Sequence, residues 1–178
     1  PQTLEESLNQ SLERLNTDYI DVYNLHGVVP QDYDYLVADI YPVLKRAQEQ
    51  GKIRFIGITE MFNEDTDHKM PQRAAEDNPW DVLMIGHNIL NQSGRDTVLK
   101  KAIENNIGIQ VMFAVRKALS QSDYLRECVS GLVKNSQLDP NDLDDANAPL
   151  DFLLQNASTI PEAAYRFCRD EPGTHVIL

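Results

Sequence analysis

The chain has 178 residues, 42% of them hydrophobic, and sets 28 Asp and Glu against 16 Lys and Arg for a net charge of -12. That is enough apolar material for one core of ordinary size, and too acidic a balance for a nucleic-acid face or an anionic membrane surface, both of which need a basic footprint. No apolar run reaches membrane-spanning length and no charged-then-apolar leader opens the chain. Cys128 and Cys168 show no metal-ligand spacing, so a reduced, cytoplasmic compartment is expected.

A first residue of proline in place of methionine suits a piece of a longer polypeptide. Leu4, Leu8, Leu12 and Leu15 repeat at helical spacing behind Thr3-Leu4-Glu5-Glu6, which reads as a capping box and predicts a helix over 4–15. The alternating, β-branched and aromatic stretch from Asp18 to Gly27 predicts a strand that delivers His26 at its C-terminal end, where parallel α/β sheets place their chemistry. Leu36, Ile40, Leu44 and Ala47 predict a second helix with Pro42 in a first turn or at a kink, and Gly51 suits the left-handed residue beyond its end.

Strands are then predicted over 53–58, 80–85 and 107–114, separated by helices over 70–76 and 95–105. Alternation of this kind, with nearly continuous apolar strands, implies a parallel sheet covered by helices. A helix over 122–134 follows, then an acidic loop over 137–151 that lacks the glycine and terminal glutamate of a calcium loop. Thr159 and Glu162 make a second capping box, with Ala163, Ala164, Phe167 and Cys168 as the buried stripe of a last helix. Pro172-Gly173 ends it, and a final strand begins at His175. Five strands do not close an eight-stranded barrel, so residues 1–178 read as one partial α/β domain, an incomplete (β/α)8 TIM barrel.

In order and spacing, Thr17-Asp18-Tyr19-Ile20-Asp21-Val22-Tyr23-Asn24-Leu25-His26 and Gly51-Lys52-Ile53-Arg54-Phe55-Ile56-Gly57-Ile58 resemble the aldo-keto reductase family. Trp80-Asp81-Val82-Leu83, Asn88-Ile89-Leu90-Asn91, Ile107-Gly108-Ile109 and Ala163-Ala164-Tyr165-Arg166-Phe167 continue the resemblance over nearly the whole chain. It implies strands 4 to 8 of the barrel, a cofactor of NADP or NAD, and hydride transfer between nicotinamide and a small-molecule carbonyl or alcohol substrate. It also implies a catalytic group of Asp, Tyr, Lys and His, of which only the histidine maps here, onto His26. The other three come from earlier strands, so this chain by itself should not turn over. At the places of the family's carboxamide-binding Ser-Asn pair and Gln stand Thr59-Glu60 and Met84. Thr59 keeps a hydroxyl and Glu60 an acceptor, while Met84 removes a hydrogen-bonding partner. The resemblance puts the ring that stacks on nicotinamide at Met112 or, with a one-residue shift, at Phe113, which is favoured because it supplies a flat face, and it implies that Arg116 and Lys117 meet the pyrophosphate.

Two other readings compete. His26, Glu60 and His87 all fall near strand ends, and together would make a zinc set for a barrel hydrolase. A barrel that holds a nucleotide without reducing anything is the other, since fold does not fix function. Asp21 and Tyr23 share a strand face that His26 does not, so they should point outward to the helices. His68 and His175 have no partner pattern and are expected to be exposed or structural.

Overall fold

The computed structural model describes residues 2–77 and 79–178, with Gln2 described in its backbone only. Helix α1 (Gln2–Leu15) already contains Thr3, so the expected cap there lies inside the helix. Leu8 and Leu12 are its buried positions, four residues apart on one face. Strand β1 (Ile20–Val28) pairs in parallel with β2 (Ile53–Glu60), then β3 (Val82–Gly86), β4 (Gly108–Met112) and β5 (Val176–Ile177) in sequence order. Such an order, with every crossover passing through helix, is the half-barrel that the alternation of elements predicts.

The two faces of the sheet differ sharply. One row holds Ile56, Ile58, Leu83, Ile85, Ile109 and Val111, each 1% exposed or less under the helices. Burial of each such side chain stabilises by about 1.5–3 kcal/mol. The opposite row includes Val22, Asn24, Phe55, Met84, Gln110 and Met112, which line the concave side. Asn24 Nδ2 donates to Gln110 Oε1 at 3.0 Å although β1 and β4 are not neighbours, so the sheet curls toward a barrel. Phe55, on this face, remains 49% exposed.

As the alternation requires, Tyr23 packs outward against the core, and Asp21 reaches an exposed ion pair with Arg54 at 2.7 Å. Helix α2 (Tyr41–Glu49) is entered through a single turn (Tyr33–Tyr35) and a π-helical turn (Leu36–Ile40). Pro42 sits in the first turn of α2 and lacks the N–H of a regular ladder, and the wider π turn falls immediately before it. Gly51 takes the expected left-handed φ of 76°. A second π-helical turn, Arg95–Leu99, precedes α4 (Lys100–Glu104), where the Gly94 carbonyl accepts from both Val98 N and Leu99 N.

Helix α3 is Lys69–Asp77, and β4 is followed by α5 (Lys117–Ser120), α6 (Ser122–Lys134) and α7 (Ile160–Asp170). Thr159 caps α7 by accepting from Glu162 N at 3.2 Å, while Glu162 reaches back to Ser158 N at 2.8 Å. Trp80 anchors the layer between α2 and β3, donating to Tyr33 OH at 3.2 Å and meeting Tyr41 edge-on. Among the described residues no helix is long and apolar enough to cross a membrane.

Candidate active site

His26 stands where the strand pattern puts it, near the C-terminal end of β1, two residues beyond Asn24 and exposed to solvent. Gly27, beside it, has φ 67°, and the β1–β2 register shifts between Leu25 and Val28. The Gly27 N–H leaves the ladder and donates to Thr59 Oγ1 at 2.7 Å. Thr59 is 2% exposed and pairs laterally with Met84, which pairs with Gln110, so these three share the concave row at the barrel mouth.

Glu60 belongs to the other row. Its side chain is wholly buried in the helix layer, with Oε1 accepting from Gly86 N at 2.6 Å and Oε2 2.8 Å from His68 Nδ1. Burial pushes its carboxyl above the usual range, and the His68 and Gly86 contacts oppose that shift. Both oxygens are therefore engaged away from the mouth. The sequence expectation had Glu60 accepting from a nicotinamide amide, whereas its carboxylate faces a different layer.

His68 is buried, not exposed, with a left-handed φ of 58° and an Nε2 that has no hydrogen-bond partner. His175 is exposed, and its Nδ1 accepts from Ile109 N at 3.1 Å.

His87 also lies in the helix layer, 0% exposed, stacked on Phe167 of α7. Its Nε2 is 3.6 Å from Glu171 Oε2, and Arg95 grips the same carboxylate at 2.8 and 2.5 Å. Burial holds the His87 pKa below its ordinary value. His26 is exposed at a strand end while Glu60 and His87 are buried under the helices with other partners, so the three are not brought together. No group of three or more metal-ligating side chains converges among the described residues, so the zinc set does not form.

Beyond β4 the chain turns at Phe113, φ 64°, whose carbonyl accepts from Asn88 Nδ2 at 3.0 Å. The Arg116 guanidinium lies 4.5 Å from the Phe113 ring centroid and 5.7 Å from that of Phe62, and the two rings are 5.6 Å apart. Asn63 Oδ1 accepts from Arg116 at 3.3 Å. Lys117 Nζ sits 4.7 Å over the Tyr124 ring. Phe62, Asn88, Leu90, Arg116, Lys117 and Tyr124 line a groove of about 410 Å3. The sequence reading missed Phe62. Its signal was Gly86, where a Cβ would come within 2.4 Å of the Phe62 ring, and a glycine inside a strand marks such a close approach.

Five parallel strands in sequence order, with helices over one face and an imidazole at a carboxyl end, define part of a (β/α)8 barrel. The family model described as the Aldo/keto reductase family matches residues 1–177, and the chain belongs to that family.

The chain is 28% identical over 131 residues to an NADH-specific methylglyoxal reductase of Escherichia coli (strain K12), covering 74% of this chain and 39% of that protein. It is 28% identical over 170 residues to a D-threo-aldose 1-dehydrogenase of a Pseudomonas species, covering 93% and 49%. It therefore spans less than half the length of these two relatives. Among solved structures, the holo form of an aldo-keto reductase from Bacillus halodurans superposes with a TM-score of 0.67 at 20% identity, over 98% of this chain and 53% of that one. A glycerol dehydrogenase from Gluconobacter oxydans gives 0.65 at 18% identity, with the same coverage. At these identities the likeness to both structures is one of fold.

Proposed function

We propose that this chain is the C-terminal part of an NAD(P)H-dependent aldo-keto reductase acting on a small carbonyl or alcohol, with His26 in its catalytic group. The observation that carries the reading is that His26 stands near the C-terminal end of β1 and is exposed, and strand alternation from Val22 and Asn24 assigns it to the concave row. An imidazole there can donate to a substrate oxygen and orient it, worth about 10²–10⁴-fold in acid–base catalysis. The Asp, Tyr and Lys of the family's group belong to strands outside this chain, so the proposal is made for the polypeptide carrying the whole barrel.

The residues at the mouth fit a nicotinamide cofactor in part. Thr59 accepts one hydrogen bond and retains a hydroxyl proton to donate to a carboxamide. Met84 offers an apolar thioether in the same row. Phe113, braced by Phe62, supplies an aromatic face, and Arg116 and Lys117 border the groove with donors suited to phosphate. Glu60 does not belong to this set. When bound, the nicotinamide supplies or takes up hydride. This chain's contribution is to hold it, to orient the substrate oxygen and to exclude water along the Phe62–Phe113 wall.

The diversion of Glu60 and the methionine at position 84 leave Thr59 as one hydrogen-bonding group where the family has three, which favours the nucleotide-holding barrel as the second reading. Turnover separates the two. In the polypeptide carrying the whole barrel, His26→Ala should lower kcat/KM for small aldehydes about tenfold or more. Unchanged kinetics would remove His26 from the mechanism, and NADPH or NADH binding without any oxidation over an aldehyde panel would establish the second reading.

A further inference from the structure

We propose that Thr59 is a positioning residue for His26, acting through the backbone of Gly27. The inference rests on the catalytic role assigned to His26 above. Strands β1 and β2 run in register up to Leu25 and Ile58, then take three steps along β1 against two along β2 to reach Val28 and Glu60. The extra residue makes a bulge directly beside the imidazole, and bulges at strand ends re-aim the side chains next to them. Gly27 adopts the left-handed conformation that the bulge needs, φ 67°, and a Cβ there would lie 2.9 Å from Met61 Cε.

A bulge leaves one N–H outside the ladder, and at this one it is that of Gly27. The Thr59 hydroxyl takes it at 2.7 Å. Val28 O accepts from Met61 N at 3.0 Å on the far side, so the bulge is tied at both ends. The tie is firm because β2 itself cannot slide. Thr59 is buried, and the next residue, Glu60, holds Gly86 N of β3 while His68 holds Glu60. Successive residues on opposite faces of β2 thus clamp the two neighbouring strand ends. Thr59 sets where the Gly27 peptide lies, and the Gly27 peptide sets where His26 points.

Thr59 also lies where the family binds the carboxamide, so the test must separate the two uses. In the polypeptide carrying the whole barrel, Thr59→Val should lower kcat by about tenfold, while Thr59→Ser, which keeps the oxygen, restores it. Because Thr59→Val also removes the hydroxyl offered to the carboxamide, kcat is compared at saturating cofactor, with dissociation constants for NADPH and NADH measured by calorimetry to set that concentration. In the His26→Ala background, Thr59→Val should add nothing, because the group it positions is gone. Without cofactor, the His26 imidazole proton resonance should move in Thr59→Val and not in Thr59→Ser. Thr59→Ala gives a second truncation should the valine form fold poorly.

A Thr59→Val penalty equal in both backgrounds would overturn the proposal, as would a weakened NADPH affinity with an unmoved His26 resonance. Should His26→Ala leave kinetics unchanged, the functional reading fails, and the resonance comparison still decides whether Thr59 positions this segment.

Discussion

His87 lies against Phe167 with ring centroids 5.6 Å apart and planes 16° from parallel, while neither of its nitrogens meets a hydrogen-bond partner. The ring is wholly buried and faces Glu171, Arg95 and, at longer range, His68. It is built into the structure as a flat, neutral plate.

That arrangement makes stability acid-sensitive. Burial, the largest influence, lowers the His87 pKa from its ordinary 6.5, the Glu171 carboxylate opposes that shift, and Arg95 and His68 add to it. The unfolded chain therefore binds the proton more readily, so the contribution is present above about pH 6.5 and is lost as pH falls through that value. Glu171 works in the same direction, because Arg95 holds its carboxyl below the usual range. His87→Phe keeps the stack and removes two unpaired polar atoms. It should be at least as stable as the parent at neutral pH and lose less on acidification from about pH 7 to about pH 5. Thermal unfolding across that range checks this, and equal acid loss in the two proteins would exclude His87 as the source.

Gly57 and Asn24 make a tight contact across β1 and β2. A Cβ at Gly57 would stand 1.9 Å from Asn24 Oδ1 and 3.2 Å from the Val82 carbonyl oxygen. Gly57→Ala should therefore cost about 1–3 kcal/mol, in the range of overpacked cores. Asn24→Ala alone should cost about 1 kcal/mol through its lost bond to Gln110. Together they should cost less than their sum, since removing the amide frees the space that the new methyl needs. A denaturant double-mutant cycle measures the coupling, and strict additivity would mean that the strand backbone and not Asn24 takes up the clash.

The sequence reveals what is local. Helix α6 falls on Ser122–Lys134, where its spacing predicted it, and Thr159 caps α7 as its motif requires. Strand ends shift by two residues at most, because the apolar pattern does not stop at the paired positions, as at Trp80 before Val82. The π turns before α2 and α4 escape a reading based on a 3.6-residue period, since one inserted residue barely disturbs it. The place of His26 near the end of a strand was legible from the alternation of its stretch, and its catalytic role was read from the family resemblance. Asn24–Gln110 was not legible, because it joins residues 86 positions apart across a curvature no local pattern encodes. Glu60 was within reach. The alternation that turns Asp21 and Tyr23 outward also puts Glu60 in the row of Ile56 and Ile58, away from the mouth.

The two cysteines should differ in reactivity. Cys168 is fully buried beneath His87, whose carbonyl its Sγ meets at 3.3 Å, and burial, with a lesser push from Glu171, drives its pKa up to about 11. Cys128, on α6, is half-buried. Since the thiolate is the reactive form, a thiol reagent applied to the native protein should modify Cys128 and spare Cys168 until the protein is unfolded. Peptide-level mass spectrometry resolves the two sites, and prompt native labelling of Cys168 would contradict the packing of α7 on the sheet.

The Glu60–His68 pair tests whether a buried carboxylate serves here as a fastener. Glu60→Ala leaves the Gly86 N–H and His68 Nδ1 without their partner and should cost about 2 kcal/mol or more. Glu60→Gln should cost much less, because its oxygen can still accept from Gly86 and its amide can donate to Nδ1 once the imidazole proton sits on Nε2. The pH dependence separates charge from geometry. Burial raises the Glu60 pKa above its ordinary 4.5, with the His68 and Gly86 contacts opposing it. Its contribution is therefore complete below about pH 4.5 and declines as pH rises through the elevated folded value. Relative to Glu60→Gln, the parent should lose stability on going up in pH across that window, opposite in sign to the His87 effect. Urea unfolding at a series of pH values reads the difference. A gap that stays constant would show that Glu60 ionises as freely in the folded protein as in the unfolded chain, and would leave hydrogen bonding as the whole of its role.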